Sequence, residues 1–141
     1  MTITIYTELF SSKNSRRSFN HPTTGRIVNI KSKKALQNED DLIQNLLLHR
    51  YDWQDYLVKH MARNIYDDES QIYPLRLEIT IYRKTHGKWD YHNLIQNLAD
   101  CMVKAGWLPD DDTRHVGFYP PLIGDIHRKD SKNPRIEIKI L

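Results

Sequence analysis

The sequence lacks long apolar runs. No stretch of its 141 residues approaches the roughly 18 consecutive apolar residues that a membrane-spanning helix needs. It also lacks internal repeats, low-complexity segments and a recognisable linker, and its length suits a single hydrophobic core. Hydrophobic residues make up 39% of the chain and charged residues 28%, which is typical of globular proteins. We therefore predict one domain, residues 1–141, with no membrane association.

Cysteine is nearly absent as well. Cys101 is the only cysteine, which excludes a disulfide within the chain. It falls on the apolar stripe of a predicted helix, where a buried structural thiol is expected rather than a nucleophile. The first residues, MTITIYTELF, alternate polar and apolar positions and do not resemble a secretory signal. We expect a cytoplasmic protein.

Positive charge is present in only slight excess, but it is unevenly placed. The net charge is +3, and the N-terminal third carries a concentration of basic residues, namely Lys13, Arg16, Arg17, Arg26, Lys31, Lys33 and Lys34. Phosphate backbones attract such patches because binding releases counterions. The interleaved Ser11, Ser12, Asn14 and Asn20 could donate to phosphate oxygens. A solvated loop is the alternative interpretation of this stretch.

Periodicity predicts the order of strands and helices. Alternation predicts a strand over residues 2–10, and the basic stretch Ser11 to Gly25 is predicted as a loop before a short strand, Arg26 to Ile30. Apolar residues at helical spacing predict three helices: 33–50, 52–65 and 92–104, the last ending at Gly106. The clearest strand, from Leu75 to Tyr82, precedes the last helix, and a final strand pair, 114–119 and 135–140, follows it. This order predicts an α+β fold with a mixed β-sheet packed against helices.

Carboxylates cluster around the last predicted helix. Asp90 comes just before the helix, and Asp110, Asp111 and Asp112, which we call the DDD loop, come just after it. Asp90 can cap the helix or point into a groove beside it. Crowded like charges cost energy unless a cation neutralises them, and oxygen ligands suit Mg²⁺ or Mn²⁺. Such a site fits metal-assisted phosphodiester chemistry, whereas a solvated turn is the alternative.

The same helix is predicted to carry a continuous polar face. Asn93, Gln96, Asn97 and Asp100 recur at three- and four-residue spacing, away from the apolar stripe.

These features resemble the RusA family of Holliday junction resolvases. The resemblance lies in the strand PLRLEITIYR, the segment WDYHNLIQNLADCMVKAGWLPDDD and the closing strand RIEIKI. DYHN, Asp90 to Asn93, is similar to the DxDN motif that opens a helix in that family, KAGW is similar to the family's helix end, and DDDTRHV is similar to its second acidic step. The early SSKNSRRSF loop is weakly similar to the family's basic N-terminal loop. The resemblance covers residues 74–141 well and 1–30 weakly.

The resemblance implies a small homodimeric endonuclease, of phage or mobile-element origin, that acts on branched DNA in recombination and repair. The implied catalytic and metal-binding residues are Asp90, His92 and one of Asp111 or Asp112, with Mg²⁺ or Mn²⁺ as the cofactor. His92 stands where the family has a second carboxylate, and an imidazole favours Mn²⁺ or softer ions over Mg²⁺. Gln96 stands where the family has a catalytic lysine, for which Lys88, Lys104 or Arg114 could substitute.

Three functional hypotheses follow. The first is a divalent-metal-dependent endodeoxyribonuclease in which Lys13, Asn14, Arg16 and Arg17 contact phosphates of a four-way junction. The second is a catalytically inactive relative that binds branched or duplex DNA, because His92 and Gln96 have dismantled the metal site. The third is a protein-interaction module with a merely solvated DDD loop.

Overall fold

The computed structural model describes residues 1–11, 16–20, 23–25, 27–31, 33–63 and 72–141. Within these residues, three helices and seven strands follow in the order β1 (Ile3–Ile5), β2 (Arg16–Asn20), β3 (Ile27–Lys31), α1 (Lys33–Leu48), α2 (Arg50–Arg63), β4 (Leu75–Arg83), α3 (Tyr91–Lys104), β5 (Val116–Tyr119), β6 (Arg128–Lys129) and β7 (Arg135–Ile140). The predicted α+β class is confirmed.

The main sheet is built around β4. Its strand order is β1, β7, β4, β5, and the short β6 pairs with the far end of β4. β7 is antiparallel to β1 and β4, whereas β5 and β6 are parallel to β4. The sheet is therefore mixed, as predicted. β5 and β7 were expected to form a pair, but β4 lies between them, because the long connection from β5 lets β7 reach the other edge of β4.

Alternation along the strands decides which side chains form the core. Every second residue of β4, beginning at Leu75 and ending at Ile81, is buried, and Ile136 and Ile138 of β7 lie beside them. A strand points successive side chains to opposite faces, so one face of these strands is apolar. That face packs against the buried stripe of α3, which is formed by Leu94, Leu98, Cys101 and Met102. The expectation of a buried Cys101 is confirmed.

Two tryptophans join the helical layer to the end of α3. Trp53 of α2 stacks on Trp107, with ring centroids 4.9 Å apart. Trp53 Nε1 donates to the Trp107 carbonyl (2.8 Å), and Trp107 Nε1 donates to the Leu46 carbonyl (2.7 Å). Gly106, which precedes this contact, has φ +75°, the left-handed conformation that ends many helices. The predicted helix stop is confirmed.

The N-terminal region differs from its prediction. The basic stretch was predicted as a loop, but Arg16–Asn20 forms β2, which pairs with β3 in a separate two-stranded sheet. Its sequence, RRSFN, carries no apolar alternation, so the pairing depends on the backbone and on β3. The second helix begins two residues earlier than predicted, and its predicted end near Ile65 lies outside the described residues. None of the helices that the structure describes combines the length and apolar character needed to cross a bilayer.

Candidate functional site

Asp90 is the N-cap residue of α3. Its backbone is extended (φ −103°, ψ 114°), and its Oδ1 accepts hydrogen bonds from the backbone N–H of His92 (2.9 Å) and Asn93 (3.4 Å). These bonds satisfy two of the N–H groups that a helix start leaves without partners. Asp90 is exposed, and Oδ1 is the oxygen that holds the start of the helix.

The outer face of α3 is only partly the continuous polar face that was predicted. His92, Gln96 and Asp100 are exposed and lie one helical turn apart. Asn97 is buried instead, at 5% exposure, and its Nδ2 donates to the Phe10 carbonyl at 2.8 Å. The prediction was wrong for Asn97. Its amide can be buried because the Phe10 carbonyl accepts its hydrogen bond, and this partner lies 87 residues away in sequence, beyond the reach of a helical spacing pattern.

The DDD loop is held by hydrogen bonds of its own. Asp110 Oδ1 accepts from the Asp111 backbone N–H at 2.7 Å. Asp112 Oδ2 accepts from Arg114 Nη2 at 2.8 Å and from its Nε at 3.2 Å. Asp112 Oδ1 lies 2.6 Å from His115 Nδ1, and the Asp112 carbonyl accepts from the Val116 N–H at 3.1 Å. Asp112 therefore fixes the start of β5.

Two of the loop carboxyls have opposite pKa shifts. Hydrogen bonds from Arg114 and His115 lower the pKa of Asp112 to about 2. Burial raises the pKa of Asp111, and a hydrogen bond with Asp110 and the negative charge of Asp100 raise it further. A nearby cation would reverse the second shift, because it favours the ionised carboxylate. Among the described residues, no cationic side chain is a cause of the Asp111 shift, whereas Arg114 and His115 act on Asp112.

The acids at the two ends of α3 do not meet within one chain. Asp90 caps the first turn of a 14-residue helix, which is about 20 Å long at 1.5 Å per residue. Asp111 feels the charge of Asp100, near the other end of that helix, and Asp112 precedes Val116, whose strand partner is Leu75 at the start of β4. Among the described residues, no three His, Cys, Asp or Glu side chains form a group that could hold a metal ion. The implied ligands Asp90, His92, Asp111 and Asp112 therefore do not fit a metal within one copy.

The predicted phosphate contacts lie in or next to β2. Arg16 and Arg17 are in β2, where they pair with Lys31 and Ile30 of β3. Lys13 and Asn14 lie outside the described residues.

A cavity lies beside Asp90, where a groove was one of the two predicted surroundings, but the part that Arg83 has in it was not anticipated from the sequence. We call it the Arg83 cavity; it has a volume of about 200 Å³ and is lined by Phe10, Ser11, Arg83, Lys88, Trp89, Asp90, Asn93 and Leu94. Arg83 is the last residue of β4 and follows Leu75, Leu77, Ile79 and Ile81 in the same two-residue register. This register is the sequence signal that could have identified Arg83 as a candidate functional residue, because it places an arginine on the otherwise buried face of the strand.

Arg83 is held at the cavity by the N-terminal segment. Its Nη2 donates to Glu8 Oε1 at 3.4 Å, and its guanidinium lies 5.3 Å from the centroid of the Phe10 ring. Its side chain is 18% exposed, so a positive charge is kept close to the head of α3.

No model of a known protein family matches the chain, and no curated protein matches it. The residues and their placement therefore carry the functional argument.

Proposed function

We propose that this protein is a homodimeric, divalent-metal-dependent endodeoxyribonuclease of the RusA type, a cytoplasmic enzyme that cleaves Holliday junctions or other branched DNA. The observation that carries the proposal is the position of Asp90. It is an exposed residue at the head of α3, beside a cavity that Arg83 and Lys88 line. A carboxylate for a metal and cations for phosphate are the groups that phosphodiester hydrolysis needs.

The order of the elements also supports the proposal. β4 leads to Asp90 and α3, the DDD loop follows, and β5 returns parallel to β4. The two acidic segments that resemble the RusA motifs, Asp90 and the DDD loop, thus lie before and after α3, which packs against a mixed sheet. Because that helix separates them, a site that uses both steps requires two copies, with the head of α3 in one copy next to the DDD loop of the other. Symmetric homodimers are the commonest assemblies that bring two such ends together.

The test is cleavage of a synthetic four-way junction by wild-type protein and by Asp90→Asn. Asparagine caps a helix about as well as aspartate, so the fold is retained while the carboxylate is lost. We expect cleavage with Mg²⁺ or Mn²⁺, and a loss of at least about 100-fold in the variant, as for removal of a metal's charge-stabilising contribution. Asp52→Asn, at an exposed position in the first turn of α2, is the control and should cleave normally.

A second candidate function is DNA binding without cleavage. The pairing of Asp112 with Arg114 and His115 favours it, because those contacts occupy both oxygens of a predicted ligand. In that case junction binding persists in EDTA, and neither metal supports cleavage at low salt. Junctions left intact by the wild-type protein under these conditions would contradict the nuclease and support the binder. A junction affinity that does not depend on salt would contradict both.

A further inference from the structure

Two N–H donors on the lining residues of the Arg83 cavity have no acceptor. Arg83 Nε and Trp89 Nε1 are both buried without a hydrogen-bond partner among the described residues. Nearly all buried polar groups in native proteins are paired, so an orphaned donor calls for a water or a ligand that supplies the acceptor. Two such donors on one small cavity indicate a ligand that accepts more than one hydrogen bond.

The other tryptophans show that this fold normally satisfies an indole N–H. Trp53 Nε1 and Trp107 Nε1 each donate to a backbone carbonyl, at 2.8 and 2.7 Å. Trp89 is partly buried like a structural residue, yet no described residue accepts a hydrogen bond from its N–H. This difference between Trp89 and the other two tryptophans indicates that Trp89 has a role other than packing in the core.

The cavity is lined by two cations, Arg83 and Lys88, and by one carboxylate, Asp90. Of the two carboxylates nearby, Asp90 Oδ1 already accepts two backbone N–H groups, and Glu8 Oε1 accepts from Arg83. Glu8 Oε2 is buried and has no hydrogen-bond partner in the described part of the chain, but Glu8 does not line the cavity. Lys88 lines it and is exposed, so it can swing its ammonium over the opening. A phosphate supplies oxygens that only accept hydrogen bonds and a charge that both cations attract.

We infer that the Arg83 cavity binds a phosphate group, with Arg83 Nε and Trp89 Nε1 donating to its oxygens and Lys88 balancing its charge. This inference deepens the proposed function and rests on it for the source of the phosphate, which would be the backbone of branched DNA. The cavity then holds a strand next to Asp90. A free phosphate or a nucleotide has the same chemistry, so the test separates these sources.

The first arm uses inorganic phosphate and the protein's own indole N–H signals in ¹H–¹⁵N NMR spectra. Phosphate should shift the Trp89 signal in a saturable way, while the Trp53 and Trp107 signals stay in place because their bonds are internal. Chloride at the same ionic strength is the control for general salt effects. Lys88→Gln should weaken phosphate binding up to about fivefold, the range of an exposed charge pair. Lys139→Gln, which removes the same charge from an exposed position in β7, should leave it unchanged.

The second arm uses a synthetic four-way junction and measures affinity against salt. Lys88→Gln should reduce the slope of log affinity against log salt by about one phosphate contact, and Lys139→Gln should not. A Trp89 signal that responds to chloride as it does to phosphate, or to neither, would overturn the inference. Junction binding that Lys88→Gln leaves unaltered would overturn the DNA source of the phosphate. A response to inorganic phosphate without any junction binding would support the cavity and contradict the proposed function.

Discussion

At the scale of single residues, Asp112 shows how one carboxylate can organise a loop. Its two carboxylate oxygens bind the Arg114 side chain and His115. Its backbone carbonyl accepts a hydrogen bond from the N–H of Val116, the first residue of β5. The Arg114 hydrogen bonds are the largest cause of its lowered pKa, which is about 2. Asp112 thus stays ionised at pH values at which an ordinary aspartate is already protonated, and any cation must compete with Arg114 for it.

We predict that Arg114→Ala raises the pKa of Asp112 toward the ordinary aspartate value. A lowered folded-state pKa stabilises the fold above the unfolded pKa, near 3.9, and this contribution disappears as the pH falls through about 2. The variant should therefore lose stability relative to wild type above pH 4 and differ little near pH 2. Carboxyl ¹³C NMR titration measures the pKa directly. Lys129→Ala is the matched exposed control, and an Asp112 midpoint that is unchanged in Arg114→Ala would show that Arg114 does not cause the shift.

At the scale of elements, the ion pair between Glu39 and Lys104 links α1 to α3. Glu39 is buried within α1, and Lys104 Nζ, in the last turn of α3, donates to its Oε1. This hydrogen bond is the first cause of the raised pKa of Lys104. The Lys104 side chain is about half exposed, whereas the Glu39 side chain is only 9% exposed. Removing the lysine would leave a nearly buried charge without this partner.

We predict that Lys104→Met lowers the free energy of unfolding by about 1–3 kcal/mol, the cost of leaving a buried charged acceptor poorly satisfied. Lys59→Met is the control, because Lys59 pairs with Asp55 at the surface of α2, where both side chains are more than half exposed. That change should cost less than about 1 kcal/mol. Urea denaturation followed by circular dichroism gives both values. Equal losses in the two variants would show that the burial of Glu39 does not matter.

The elements that the sequence predicts well are those with strong internal periodicity. β4, α3 and β7 lie within a residue or two of their predictions, because alternation in LRLEITIYR and RIEIKI and the apolar stripe of α3 are local signals. β2 and the two-residue β6 were missed, since RRSFN and RK have no pattern and form only where a partner strand lies beside them. Asn97 and Arg83 follow the same logic, because their partners Phe10 and Glu8 are more than 70 residues away in sequence.

At the scale of the whole molecule, the distance between the acidic steps is set by the β4–α3–β5 unit. In a parallel crossover the chain leaves one end of a strand and starts the next strand at the opposite end. Asp90 and the DDD loop therefore lie at opposite ends of the sheet, about 20 Å apart along α3. Their proximity in sequence suggested a shared site, but it is the crossover that decides their separation. The candidate residues could be named from motifs, whereas their arrangement depends on topology.

This separation yields a prediction about pairs of inactive variants. If each site takes Asp90 from one copy and a DDD-loop carboxylate from the other, Asp90→Asn and Asp111→Asn should each abolish cleavage alone. When the two variants are mixed, unfolded together and refolded, half of the dimers are mixed, and each mixed dimer has one site with both acids intact. We expect about one quarter of the wild-type number of sites, seen as nicking of one strand per junction.

The same mixing experiment should be repeated with Asp112→Asn in place of Asp111→Asn, to identify which loop carboxylate the site uses. A site contained in one chain predicts no recovery in a mixture of two variants that are each inactive alone, because every chain then carries a defect in its own site. Sedimentation of the wild-type protein checks that dimers form at the assay concentration. The loop carboxylate that the site uses is the one whose asparagine variant is inactive alone and regains cleavage in the mixture. Asp111 fits the structure better, because Asp112 is already bound by Arg114 and His115, whereas the raised pKa of Asp111 has no cationic side chain among its causes in the described residues. Normal cleavage by Asp111→Asn and by Asp112→Asn alone, with none by Asp90→Asn, would instead place the whole metal site around Asp90 and the Arg83 cavity.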